Sequence, residues 1–222
     1  MAGRGVRVAV IDSGVHAAHP HIGRVAGGVT IGEQTDECSY VDLLGHGTAV
    51  MAAIQETAPE AEYFAVRVFQ SVLRTSVDIL VRAIEWSIDN RIDVINLSLG
   101  TGNPAHAQRL RPLIPRAGII VSARDVNGCP SFPGALPGVI GVNVDWDLPR
   151  ESYTCRNGSE FCASGYPRPI PGIPQERNLH GISFAVANMA GFVVRACEKL
   201  PSRSYETVCS ELADALTRSN RM

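Results

Sequence analysis

Three short segments carry side chains that could share one reaction. In VAVIDSG an aspartate, Asp12, closes an apolar run. A carboxylate there can orient an imidazole and stabilise its cation, and in open α/β sheets ligand sites gather beyond the carboxyl ends of the strands. In GHGT (45–48) His46 stands between glycines that let backbone or substrate approach the ring. In GISFA (181–185) Ser183 opens a long apolar stretch. At a helix N-terminus its Oγ is open to a base, and the first amides favour negative charge. Each segment also has an ordinary explanation. Asp12 before Ser-Gly suits a turn, a lone histidine is commonly structural, and serine is a favoured helix cap. Together they supply an orienting acid, a base and a nucleophile.

Five apolar runs read as buried strands: 6–11, 63–69, 93–99, 118–123 and 139–144. Helical patterns lie between and after them, at 48–56, 76–89, 183–200 and 205–217. In the second of these, Ile79, Leu80, Ala83, Ile84 and Ile88 share one face. Continuous apolar strands alternating with helices predict an α/β fold with a mostly parallel central sheet covered on both sides. Residues 145–180, with Pro167, Pro169, Pro171 and Pro174, read as a structured surface loop. No repeat or linker divides the chain, so residues 1–222 are expected to form one domain.

The formal charge of -2 gives no general attraction to nucleic acid or an anionic membrane. No apolar run approaches the roughly 20 residues that cross a bilayer. The opening residues run almost at once into a strand and lack the h-region and cleavage site of a secretory signal, so a cytoplasmic location is expected. The cysteines (38, 129, 155, 162, 197 and 209) form no CxxC pair, which argues against zinc. Reduced thiols are expected. A Cys155–Cys162 bridge is the alternative, since both fall in one polar loop. His16, His19 and His21 invite a metal reading, but surface positions are the expectation, and no metal or other cofactor is predicted.

The order Asp, His, Ser, together with these motifs, resembles the subtilisin-like (subtilase) serine peptidases. VIDSGV followed by His19-Pro20 is similar to the segment around that family's catalytic aspartate. GHGTAV is similar to the segment around its histidine, DVINLSLG to its substrate-lining strand, and GISFAVANMAG to its serine motif, usually G-T-S-M-A-x-P. The resemblance implies a three-layer sandwich and a triad of Asp12, His46 and Ser183. It also implies a substrate-lining segment of Ser98, Leu99 and Gly100, which would pair with an extended peptide.

The chain departs from the family in several places. The family's oxyanion Asn ends an A-A-G-N run, and here the corresponding run is Ser122-Ala123-Arg124-Asp125. An ionised Asp125 would repel the developing charge, whereas a protonated one could donate to it. Asn127, two residues on, is either a substitute donor or part of a tight turn with Gly128. Ile182, Phe184, Ala187 and Asn188 replace the usual Thr, Met, Pro and His around the nucleophile. The helix after His46 runs directly toward the strand at Tyr63, so the calcium loop many subtilases carry there is not expected, and with no propeptide-like segment before Val6 a self-processing zymogen is not expected either.

The reading is therefore a serine endopeptidase acting through an acyl-enzyme on Ser183, with a dedicated role in processing a precursor or leader peptide. Its partner is a peptide or precursor-protein substrate. The rival is a weak or inactive relative that binds peptides, or serves as an accessory subunit and needs a partner subunit for catalysis.

Overall fold

Valine, isoleucine and alanine dominate the central strands because β-branched and small side chains pack well on a pleated surface covered on both sides. The computed structural model describes residues 1–36, 39–156, 158 and 160–219. In chain order the first half holds β1 (Arg7–Asp12), β2 (Gly27–Ile31), β3 (Thr35–Asp36), α1 (His46–Thr57), β4 (Glu62–Arg67), α2 (Val77–Asp89) and β5 (Val94–Leu97). There follow α3 (Pro104–Leu110), a 3-10 turn at Arg111–Arg116, β6 (Ile119–Ala123), and the short pair β7 (Asp125–Val126) and β8 (Cys129–Pro130). The chain continues through β9 (Ile140–Val144), β10 (Tyr153–Arg156), β11 (Glu160–Ala163), α4 (Ile182–Lys199) and α5 (Tyr205–Ser219).

Among the described residues the main sheet runs in the order β10-β11-β9-β6-β5-β1-β4-β2-β3. Its interior pairings are parallel, and the two edge pairs are antiparallel. Alternation along each strand sorts the side chains into two cores. Val8 and Val10 of β1 join α1, α4 and α5 on one face. Ala9 and Ile11 join α2 and α3 on the other. The three layers follow from that division.

Each strand read from the sequence is present within one or two residues of its expected ends. The region 145–180 is a correction, because it contains β10 and β11. The prolines that suggested a loop all lie beyond Ala163, leaving 153–163 free to pair. A Cys155–Cys162 bridge is excluded by register. Thr154 faces Cys162 and Cys155 faces Phe161, so the two thiols project from opposite faces of the sheet. Cys129, Cys155, Cys162, Cys197 and Cys209 are free, and Cys38 lies outside the described residues. β2 escaped the sequence reading because Gly27 and Gly28 begin it. Gly28 has to be small, since a Cβ there would meet the Tyr40 ring at 2.7 Å.

α4 is the central helix, buried almost continuously from Phe184 to Val194. It crosses α1 closely enough that a Cβ on Gly191 would lie 2.7 Å from the Thr57 Cβ. Gly191→Val should therefore lower stability by about 1–3 kcal/mol through overpacking. The measurement is a urea melt, with the midpoint falling and the slope unchanged.

Candidate active site

Strand alternation decides which way Asp12 points. It continues the Val8–Val10 series, so its carboxylate emerges on the face covered by α1 and α4. The side chain is fully buried. Asp12 Oδ1 accepts from the Ser13 amide at 2.7 Å and from His46 Nδ1 at 2.7 Å. A carboxylate only accepts, so Nδ1 carries the proton and the neutral ring keeps its lone pair on Nε2. Burial lowers the His46 pKa. The hydrogen bond and charge of Asp12, followed by the charge of Asp42, outweigh it and hold the pKa above the ordinary histidine value. The Phe184 ring lies 5.8 Å from the imidazole, centroid to centroid.

The loop that delivers His46 is organised by a second buried carboxylate. Asp42 Oδ1 accepts from Ser13 Oγ at 2.8 Å and from the amides of Leu44 and Gly45 at 2.9 Å each. Asp42 Oδ2 accepts from the Thr48 amide at 2.9 Å and from Thr48 Oγ1 at 2.6 Å. Ser13 Oγ in turn receives the Gly47 amide at 2.8 Å. Asp42 thus does for the first turn of α1 what a capping side chain does, satisfying amides the helix leaves unpaired. Burial opposes its ionisation, but the donors from Thr48, Leu44 and Ser13 prevail and hold its pKa below the usual carboxylate range. Gly47 has to lack a side chain, because a Cβ would collide with the Gly14 carbonyl.

Ser183 stands in the first turn of α4. That helix opens at Gly181 with φ 149 and no side-chain cap, so its first amides are not claimed by a capping group. Ser183 Oγ donates to the Ser98 carbonyl at 3.2 Å, and Ser98 Oγ donates back to the Ser183 carbonyl at 3.2 Å. Ser98 Oγ also receives Asn96 Nδ2 at 3.0 Å. These bonds tie the start of α4 to the carboxyl end of β5, with Asp12 at the end of the adjacent strand. One turn further along α4, Asn188 Nδ2 donates to the carbonyls of Ser164 (2.8 Å) and Tyr166 (3.0 Å), anchoring the chain that follows β11.

The structure brings Asp12 and His46 into contact and sets Ser183 against Ser98. The Ser98 hydroxyl turns inward to this junction. Leu99 packs against the α2-side core, and Gly100 lies against Ser131 with no room for a Cβ. The next residue, Thr101, exchanges backbone hydrogen bonds with Phe132 (3.0 and 2.9 Å). Asp125 begins the β7–β8 hairpin, and its Oδ1 accepts the Gly128 amide at 2.7 Å. Asn127 and Gly128 both have positive φ (55 and 78), as a two-residue hairpin turn requires. Asn127 is thus the first left-handed residue of that turn.

Four residues of this arrangement were not picked out from the sequence: Ser13, Asp42, Asn96 and Thr48. For Asp42 a signal existed, an aspartate just ahead of a helix start. Asn96 and Ser13 carry no local signal, because their role depends on which strands become neighbours. Among the described residues no group of three or more His, Cys, Asp or Glu side chains is placed to hold a metal ion. The α1–β4 connection spans only residues 58–61.

The profile of the subtilase family matches residues 3–143, ending before Ser183. Subtilisin E of Bacillus subtilis (strain 168) is 30% identical over 243 residues, an alignment covering 97% of this chain and 61% of that protein. Subtilisin DY of Bacillus licheniformis is 30% identical over 242 residues, covering 97% of this chain and 85% of that one. The chain thus spans less than two thirds of the length of subtilisin E. A solved cold-adapted subtilisin-like serine proteinase superposes with a TM-score of 0.74 at 19% identity, over 96% of this chain and 83% of its own, and supports the shared fold.

The Asp42 network makes a prediction about stability. An amide at this position cannot accept all five donors, so Asp42→Asn should cost about 2–4 kcal/mol. The folded pKa of Asp42 is depressed, so its contribution is complete above the unfolded value near ~3.9 and disappears as pH falls through the lower folded value. Urea melts of both proteins should show a constant stability gap above about pH 5 that narrows toward about pH 2.

Proposed function

The chain belongs to the subtilase family, and from that premise we propose that it is a serine-type endopeptidase that cleaves an extended peptide through an acyl-enzyme on Ser183. The observation that carries the reading is the buried Asp12–His46 contact at 2.7 Å, on the same sheet face as the start of α4. Asp12 holds His46 in the tautomer whose Nε2 can take a proton. As Ser183 Oγ attacks the substrate carbonyl carbon, its proton passes to Nε2. His46 then gives that proton to the leaving amine as the peptide bond breaks. Water repeats the sequence on the ester and releases Ser183. In the ground state Ser183 Oγ is held by the Ser98 carbonyl, so attack requires it to exchange that acceptor for His46.

The oxyanion would fall beside the uncapped first turn of α4, whose amides favour negative charge. The other donor the family resemblance assigns is replaced by the carboxylate of Asp125, which caps its own hairpin. That replacement predicts slow turnover rather than none. Substrates are peptides or precursor proteins able to lie extended along 98–100, which fits a role in trimming a precursor or leader. The same two observations, Ser183 held by Ser98 and a carboxylate at position 125, favour one alternative. In it the cleft binds peptides, or awaits a partner subunit, without useful turnover of its own.

A fluorophosphonate probe separates the two readings. Intact-mass analysis should show one adduct on the wild type and none on Ser183→Ala. No adduct on folded wild-type protein would select the peptide-binding alternative. The labelling rate should climb with pH through a value above the usual histidine pKa of about 6.5, because the neutral ring is the base and its folded pKa is raised. In Asp12→Asn the charge of Asp12 is lost while burial remains and only the weaker pull of Asp42 still opposes it, so that midpoint should move down. A second expectation concerns position 125. Asp125→Asn restores a neutral donor and should speed labelling by about 10²-fold or more, read as the second-order rate constant at pH 8.

A further inference from the structure

The loop after β1 and the chain leading from β11 to α4 enclose a cavity of about 330 Å³ that the reaction just described leaves without a role. His16, His19, His21 and Arg168 line it. Leu43, Ile170 and Leu179 supply apolar wall, and all three are exposed, at 68%, 43% and 49%. Large exposed apolar side chains gathered around polar groups mark a surface that receives a ligand.

The polar groups here are donors. Arg168 is permanently charged, and its Nη1 donates to the His21 carbonyl at 3.2 Å, leaving further N–H groups on the guanidinium. His19 Nδ1 accepts the His21 amide at 3.1 Å, so the neutral ring carries its proton on Nε2 and is a donor there. Burial lowers the His21 pKa, and the charge of Arg168 lowers it further against the opposing pull of Glu56. Two carboxylates approach. Asp42 lines the cavity, but its oxygens already serve five donors. Glu56 lies 3.7 Å from Arg168 Nε and is shared with Arg150.

Topology places the cavity relative to the reacting bond. The acyl half of a substrate lies along 98–100, after β5. Moving across the sheet from β5, one meets Asp12 at the end of β1 and then the loop holding His16, His19 and His21, which leads toward β2 beyond β4. The opposite wall, at Asn178 and Leu179, runs directly into Gly181 and Ser183. The cavity, whose lining includes Gly45 next to His46, therefore lies beyond Asp12 and away from 98–100, the side on which the leaving half of the peptide would depart.

We propose that this cavity is a leaving-group-side specificity pocket that takes the carboxylate of a substrate aspartate or glutamate, an inference that rests on the peptide-cleavage reading of Ser183. The methylenes of such a side chain suit the leucine and isoleucine wall. Its carboxylate suits the guanidinium and imidazole donors, whose charge-assisted bonds are the strong ones. Three histidines invite a metal instead, but they are not placed to hold one.

The test digests a proteome-derived peptide library with the wild-type protein and reads, by mass spectrometry, the residues that follow each cut. Acidic residues should be enriched about tenfold at one of the first three positions after the cut, equivalent to about 1.4 kcal/mol. Arg168→Gln should lose most of that enrichment and Arg168→Lys should keep part of it, at unchanged thermal midpoints. A parallel arm immobilises Ser183→Ala and measures which peptides of the same library it retains. Labelling by the fluorophosphonate probe together with cuts that show no acidic preference would overturn the pocket and leave the peptidase reading standing. Absence of labelling, with acidic peptides retained by Ser183→Ala and lost in the Ser183→Ala/Arg168→Gln double variant, would overturn the peptidase reading and leave the carboxylate site standing. No acidic preference in either arm overturns the proposal.

Discussion

Asp12 is a carboxylate without solvent exposure, and a buried charge has to be met by donors or the structure around it will not hold. Among the described residues its two hydrogen bonds fall on Oδ1, one from the Ser13 amide and one from His46, and Oδ2 has no partner. His46 is therefore one of the two donors that meet this carboxylate. The histidine cannot leave without stripping the buried carboxylate of one of its hydrogen-bond donors. This contact orients the imidazole and raises its pKa together.

A second buried carboxylate makes that pairing reproducible. Asp42 gathers the amides of Leu44, Gly45 and Thr48, so the turn before α1 closes on one anion. Ser13 links the two acids, giving its amide to Asp12 and its hydroxyl to Asp42 while accepting from Gly47. Ser183 is placed by a different device. α4 is set by apolar burial and by its crossing with α1, and its first turn is pinned to β5 through Ser98 and Asn96. Polar bonds thus fix His46, while packing sets the helix that carries Ser183 and hydrogen bonds pin only its first turn.

The division explains what could be read from the residues alone. Apolar runs and helical spacing carry a strong local signal, so the parallel strands at β1, β4, β5, β6 and β9 were legible, as were α1, α2, α4 and α5. Asp12, His46 and Ser183 stood out as candidates because glycines and strand or helix ends surround them, and the structure pairs the first two. Strands toward the two ends of the sheet have weaker patterns: β2 opens with two glycines, and β10 and β11 hold polar residues. Asn96 was invisible as a support because nothing in DVINLSL says that the strand's neighbour across space is the start of α4. The Cys155–Cys162 bridge failed for a related reason. Closeness in sequence says nothing about register, and a one-residue offset turns two side chains to opposite faces.

The same division separates the family-like positions from the substituted one. The former are held by contacts that tolerate no change: Gly47 against Gly14, and His46 against Asp12. Asp125 is held by nothing of that kind. Its hairpin is specified by its own turn, with Asn127 and Gly128 at positive φ and the Asp125 carboxylate closing on Gly128. On the proposed mechanism a charge at that place alters the energy of a developing oxyanion without altering the fold. Aspartate also suits the hairpin it begins, since its side chain caps the turn. On that mechanism turnover and architecture are governed by separate parts of the molecule, because the Asp12–His46 contact and the start of α4 are held without Asp125.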